Sequence, residues 1–333
     1  MRYGKSIVAI TIYAAFALYL YQPYFPNLNS VQYLLPVNLC LAALGCYILS
    51  RRWVSAFTGS FFAGAIYGFG PFMLGLAKYH PTAGLLAAAV PWLFCAAAFG
   101  PKAKRQWLRW PMAALPFVAI TLFFQMSTHY RLFAVPIQAK PRLADLAGLV
   151  APLVMAQRSV VLLAFYHVPV TALVMGCAML VTARRLSVIV ILCFGTALAC
   201  CDSFFSVSPI MWLSIPLVGC SVLTGVGMQA LASAGHADRK WVLFAAAVAG
   251  ILAIVTLLLA TKYFQIFAGF GDNAARLLAE SAKMHILGTI AVTIIFFLAR
   301  ARLRVTALRW ILLCSAMAVD IFFSARFIVD SIL

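Results

Sequence analysis

Stretches of about twenty apolar residues, separated by short loops that carry basic residues, recur along almost the whole chain. An α-helix of about that length crosses roughly 30 Å of hydrocarbon. The pattern predicts eleven spans, near 6–22, 31–50, 54–77, 82–99, 111–127, 159–181, 187–201, 209–229, 241–263, 284–299 and 310–330. The expected fold is an all-α integral membrane protein, a polytopic bundle of about 11 transmembrane helices within a range of 10–12. Arg2 and Lys5 before an apolar run look like a signal peptide. The run continues through Tyr19 and Tyr21 with no small-residue cleavage site, so it is expected to remain as the first span.

Two stretches resist the pattern. Residues 143–156 are apolar but short for a crossing; Pro152 interrupts them, and Arg142 and Arg158 stand close to their ends. An interfacial or re-entrant helix is expected there, because a crossing would invert every later basic loop. Residues 264–283 carry Asp272, Arg276, Glu280 and Lys283 at intervals of three and four, the spacing of one polar helix face.

Charge orients the bundle. With a cytoplasmic N-terminus, sixteen of the 25 Lys and Arg residues fall on the inner side, among them Arg51, Arg52, Lys102, Lys104, Arg105, Arg184, Arg185, Arg300, Arg302 and Arg304. Trp53, Trp107, Trp110, Trp241 and Trp310 each lie within two residues of an inner cation, at headgroup depth. Trp92 and Trp212 do not. Eleven spans place the C-terminus outside, and Lys/Arg topology of this kind suits a bacterial inner membrane.

Composition agrees and removes other classes. Hydrophobic residues make up 65% of the 333 and charged residues 10%, far below the share in a soluble domain. The net charge of +18 sits at helix ends, so it marks topology and no nucleic-acid partner is expected. The nine cysteines lie in apolar runs without a CxxC, as small buried hydrophobes would. There is no Gly-rich phosphate loop, no HExxH and no GxSxG, so neither metal nor cofactor is expected.

Counting suggests a duplication within this single transmembrane domain. The longest connection, 128–158, follows five spans in 1–127, and five more occupy 159–299 before an additional helix in 300–333. Two halves of odd span number would lie in opposite orientation, as in many secondary transporters. No sequence repeat accompanies the count. The third span holds Gly59, Gly64, Gly68, Gly70, Pro71 and Gly75, and the eighth Pro209, Pro216, Gly219, Gly225 and Gly227. Pro71 cannot donate to the carbonyl of Tyr67, nor Pro216 to that of Trp212, so both helices are expected to be interrupted at membrane depth. Such interruptions persist where protein, water or a solute supplies the partner. Close helix packing through Gly64-x-x-x-Gly68 is the more ordinary explanation of the glycines.

Polar groups in the spans supply the candidate chemistry. Asp320 lies ten residues into the last span, at about 15 Å for a rise of 1.5 Å per residue. A carboxylate there pairs or carries a proton, whether as a coupling group or as a clasp to another helix. Arg326 lies about 240° around from Asp320 and shares a face with Asp330. His167, two residues before Pro169, is a second candidate for proton traffic or for general base work. Asp202 opens an outer loop.

Two functions remain from these residues. The first is a transporter or permease, proton- or ion-coupled, for a small or amphiphilic solute. It would use Asp320, His167 and Arg326 with Tyr67, Gly70, Pro71, Trp212 and Pro216 at the interruptions. The alternative is a metal-free, membrane-embedded transferase acting on a lipid or lipid-linked substrate at the outer leaflet, with His167 and Asp202 catalytic and Arg326 and Arg158 holding an anionic headgroup. The lipid bilayer is a partner in both, and a scaffold role in a larger complex is a third reading. Single cysteines placed in 128–158 are expected to react with an impermeant maleimide only from outside the cell. Labelling from the cytoplasm would overturn the topology.

Overall fold

The structure, a computed structural model, describes residues 2–79, 81–100, 107–130, 186–201, 204–233 and 306–332, with isolated positions at 172, 175, 176, 247, 290, 293, 294 and 297. The described residues are helical, with no strand among them. The α-helices are α1 (Arg2–Tyr21), α2 (Leu34–Ser50), α3 (Phe57–Gly68), α4 (Pro71–Tyr79), α5 (Pro81–Phe99), α6 (Arg109–Tyr130), α7 (Leu186–Cys200), α8 (Pro209–Trp212), α9 (Ser214–Ser233) and α10 (Thr306–Ile332).

Among the described residues seven helical stretches are long and apolar enough to cross a membrane: Gly4–Asn27, Ser30–Ser50, Phe57–Leu76, Pro81–Phe99, Arg109–Tyr130, Pro209–Ala232 and Trp310–Asp330. They coincide with the first five, the eighth and the last of the expected spans, and α7, with the shorter apolar helix Ile189–Cys200, stands at the seventh. The protein is a multi-pass membrane protein of the all-α class. Apart from isolated positions, the expected sixth, ninth and tenth spans and the segments 143–156 and 264–283 lie outside the described residues.

Burial ranks the helices. Across the apolar stretch of the third span 94% of residues are buried, against 28% for the first span and 22% for α6. The third span is therefore the centre of the described bundle. The outer helices turn Ile7, Leu18, Val118 and Leu122 outward, as a lipid solvent allows.

Glycine lets the central helix be enclosed. A Cβ on Gly68 would come within 2.6 Å of the Leu39 carbonyl oxygen, and one on Gly64 would strike the Ala43 carbonyl oxygen and the Tyr13 hydroxyl. Gly64-x-x-x-Gly68 is thus the contact with α2, with backbones close enough for Cys46 Sγ to donate to the Ala63 carbonyl at 3.4 Å. On the opposite side Gly59 and Gly225 meet, and a Cβ on either would approach the other's carbonyl oxygen to 2.8 or 2.6 Å. One turn further, Gln229 Oε1 accepts from the backbone N–H of Ser55 at 2.8 Å and of Ala56 at 3.0 Å. Those N–H groups precede α3 and have no helical acceptor, so a side chain from α9 caps α3.

Contacts also give relative directions. α2 and α9 run against α3, as the pairs 43/64, 39/68, 59/225 and 55/229 show. α7 runs against α9, since a Cβ on Gly219 would meet Leu192 and one on Gly195 would meet Pro216. α1 runs with α3, Tyr13 Oη donating to the Phe61 carbonyl at 2.6 Å and Phe16 packing on Phe69. α10 runs beside α1 in the same direction, through Phe16–Phe322, Tyr19–Phe322 and the Arg326 bond to Tyr19.

The tryptophans divide accordingly. Trp53, Trp107 and Trp110 are exposed at helix ends beside Arg51, Arg52 and Arg109. The two that break the belt are structural: Trp92 Nε1 donates to the Leu41 carbonyl at 3.0 Å, and Trp212 is 1% exposed and stacked near Phe117. Gly225→Ala is expected to destabilise the protein by about 1–3 kcal/mol, because backbone faces backbone at that contact and neither can step aside. Thermal unfolding in detergent measures it, with Gly4→Ala, which meets nothing within 4 Å, as the neutral control.

Candidate functional site

The interruption of the third span is built by three residues. Phe69 ends α3 at φ −105°, ψ 12°, its N–H still donating to the Ala65 carbonyl at 2.9 Å. Gly70 follows where a Cβ would strike the Ile66 carbonyl oxygen, so the backbone doubles back too closely for a side chain. Pro71 then opens α4 at its first position, where a fixed φ suits the helix and a missing N–H costs nothing. The carbonyl of Gly70 accepts from the N–H of Leu74 at 3.1 Å, starting the new helix. Phe69 is 1% exposed and Gly70 is buried, so the break is enclosed by protein.

The eighth span is interrupted differently. Ser208 precedes a single turn, α8, whose N–H groups are met by Met211 to Ser208 at 3.0 Å and Leu213 to Ile210 at 3.0 Å. Ser214 Oγ donates back to the Met211 carbonyl at 2.7 Å, and the chain restarts as α9. Pro216 lies in the first turn of α9, where N–H groups lack helical acceptors in any case. The break thus falls after Trp212, four residues into the span, whereas the third span breaks after a helix of 12 residues.

Between the two spans lies a cavity. The α3/α4 junction contributes Ile66, Tyr67, Gly70, Pro71 and Phe72; α9 contributes Leu217, Cys220, Ser221 and Thr224; Ala172 completes the described wall. Residues 70 and 220 lie about 20 and 17 Å along their spans, near mid-depth. About 20 Å³ is open to the centre of a water molecule, enough for one water or a bare ion. Tyr67 Oη is held away from bonding here, donating to the Ala87 carbonyl at 2.7 Å.

The remaining expected residues are dispersed. Tyr67, Gly70 and Pro71 line the cavity. Pro216 faces α7 at Gly195, and Trp212 packs by Phe117, its buried Nε1 without a hydrogen-bond partner among the described residues. Asp320 is 7% exposed on the inward face of α10, among Met317, Ile321, Ser324 and Ala325. Ser324, one turn on, is 2% exposed, and its Oγ has no partner among the described residues. Arg326 stands at the helix end: its Nη1 donates to Tyr19 Oη at 2.9 Å and its Nε lies 3.5 Å from Asp330 Oδ2. Tyr24 Oη completes this network on Asp330 Oδ1 at 2.8 Å. With both charged side chains half-exposed, the ion pair alone contributes little. The network ties α1 to α10. His167, Asp202 and Arg158 lie outside the described residues, so of the residues named for the transferase reading the structure describes Arg326.

Sequence reasoning missed Ser221, Thr224 and Cys220. The signal was present as three polar or polarisable side chains on one face of an apolar span, spaced to stack on successive turns.

No protein family, curated protein sequence or solved structure matches this chain. Gly70→Ala is expected to destabilise the protein by about 1–3 kcal/mol through collision with the Ile66 carbonyl. Pro71→Ala is expected to stay within about 0.5 kcal/mol of wild type, because a first-turn proline gives up no hydrogen bond. Equal melting temperatures for the two variants would contradict this account of the break.

Proposed function

We propose that this protein is a transporter of a bacterial inner membrane, coupled to protons or another ion, moving a small or amphiphilic solute between its third and eighth spans. The observation that carries the proposal is the interruption at Phe69–Gly70. It sits in the most buried helix of the described bundle and opens on a mid-depth cavity whose other wall is the hydroxyl-bearing face of α9. A polytopic bundle that only anchors lipid or scaffolds a partner has no use for a broken helix at its centre, whereas a discontinuous span is a recurrent element of solute sites.

We further propose eleven spans, with the N-terminus cytoplasmic and the C-terminus outside. The relative helix directions are consistent with the alternation of spans, and the side of the membrane rests on the placement of Lys and Arg. Spans one, three, seven and eleven run one way, and two and eight the other. α5 runs with α2, through Asn38 Nδ2 to the Pro81 carbonyl at 2.8 Å and Trp92 to Leu41. α6 returns beside it, with Met112 near Gly100. That alternation is the one an eleven-span chain with 143–156 on the outer surface requires. The inverted halves 1–127 and 159–299, joined by 128–158 and followed by 300–333, draw support from the antiparallel contact of spans three and eight. The unequal positions of the two breaks argue against close symmetry between the halves.

In this reading Asp320, whose carboxylate lies on the packed face of α10, carries the coupling charge. Proteoliposomes holding the purified protein, offered a broad isotope-labelled metabolite mixture under an imposed proton or sodium gradient, test the function. At least one solute should accumulate beyond the level in protein-free vesicles. Asp320→Asn should reduce that accumulation roughly ten-fold or more, since an amide cannot exchange a proton or balance a cation, while the melting temperature stays near wild type. Accumulation unchanged in Asp320→Asn would leave the residue a structural contact. The transport reading itself fails if nothing accumulates and a lipid-linked substrate is instead converted to product in the same vesicles.

A further inference from the structure

We infer that the cavity between the α3/α4 junction and α9 is a binding site for a small dehydrated monovalent cation, sodium being the best fit, held by neutral oxygens. The inference rests on the transport reading and names the ion that the same site takes.

The argument begins with where the hydroxyl protons go. Ser221 Oγ donates to the Leu217 carbonyl at 2.8 Å. Thr224 Oγ1 lies 2.8 Å from the Cys220 carbonyl and 3.0 Å from the Ala172 carbonyl, so its one proton is committed to backbone acceptors. Both oxygens therefore present lone pairs, and not protons, to the space they line. On the other wall Tyr67 is a lining residue, and its carbonyl has no helical donor at Pro71. The C-terminal end of α3, with its excess of partial negative charge, terminates at the same point. The Tyr67 hydroxyl, which would otherwise donate, is spent on Ala87.

An anion is disfavoured by the same inventory. The first turn of α4 opens with proline and so has one N–H fewer to offer, and none of the described lining residues is cationic. A divalent ion would need carboxylates, and none of the described lining residues is acidic. Hydroxyl and carbonyl oxygens can replace the hydration shell of a singly charged ion without a counter-charge. About 20 Å³ is open to the centre of a water-sized particle, room for a dehydrated ion.

Cys220 lies in the wall and serves as the reporter. In full-length protein with the other eight cysteines replaced, the rate of maleimide modification at Cys220 is measured in sodium, lithium, potassium and choline chloride at equal ionic strength, with thermal unfolding in the same salts. Sodium is expected to raise the melting temperature saturably. At ten times its dissociation constant about one site in eleven is free, so modification should slow about ten-fold relative to choline. Ser221→Ala and Thr224→Val should abolish both effects. Ser221→Ala removes only a bond within its own helix, so it keeps the test valid if Thr224→Val fails to fold in choline. Identical melting and labelling in all four salts would overturn the site and leave a water-filled gap between helices. The two proposals fail separately. Sodium protection without solute uptake under either gradient refutes transport and keeps the site; proton-driven uptake without sodium protection refutes the site and keeps transport.

Discussion

A backbone carbonyl or N–H left unpaired in hydrocarbon costs several kcal/mol, and the arrangement of this bundle follows from that penalty. The third span contains a place where helical pairing stops. It must therefore be the helix that lipid never touches, and it is the most buried stretch described. Enclosing it requires close neighbours on several sides, which explains why its glycines face α2 and α9 and why α1 reaches it with a tyrosine hydroxyl on a backbone carbonyl. Unbroken helices can be peripheral even where an interior proline removes one bond, as Pro116 does in α6 and Pro91 in α5. α6 has few buried residues and keeps its threonine hydroxyls on its own carbonyls, Thr121 on Phe117 and Thr128 on Phe124.

The same penalty sorts the polar side chains. Thr11, Thr196 and Ser221 fold back on carbonyls three or four residues before them, a local solution available anywhere in a membrane helix. Asn38, Trp92, Tyr67 and Gln229 instead reach across to another helix, and each lands on backbone near a helix end or an α2 or α5 crossing. These long-range bonds fix register between helices whose apolar faces alone would slide. Trp212 Nε1, Asn38 Oδ1 and Ser324 Oγ are buried atoms without partners among the described residues, two of them near the interrupted eighth span or the face of Asp320. Their position beside the interruptions and the buried acid is where a solute would find hydrogen bonds already exposed inside the protein.

The seven spans seen among the described residues were legible because one period, about twenty apolar residues between basic loops, decides them with no reference to partners. The interruption at Gly70-Pro71 was legible for a similar reason, since proline chemistry is local. The eighth span shows the limit. Pro216 predicted a gap inside a continuous helix, but the chain broke earlier, at Trp212–Leu213, and left Pro216 in a first turn where its missing N–H is harmless. Local propensity names a residue that tolerates a break; tertiary packing selects which bond breaks. Gln229 capping α3 and Tyr24 closing on Asp330 were not legible at all, because they join residues separated by 174 and 306 positions. The hydroxyls of Ser221 and Thr224 gain a meaning only when the face they share is set against the broken helix.

The unequal breaks also carry a mechanical consequence. α3 is anchored at one end by Gln229 and clamped along its length by α2 and α9, so it belongs to a rigid core. α4 is joined to it only through Phe69 and Gly70, and the bonds flanking that junction, Phe69 to Ala65 and Leu74 to Gly70, stay within their own helices. Rotation at Gly70 would swing α4 without breaking either. α9 meanwhile presents an unbroken wall from Leu217 to Thr224, its own interruption lying toward the membrane surface. The cavity therefore has a continuous wall in α9 and an opposite wall divided at Gly70, whose second half, α4, packs against α5, α2 and α10, the helix that carries Asp320.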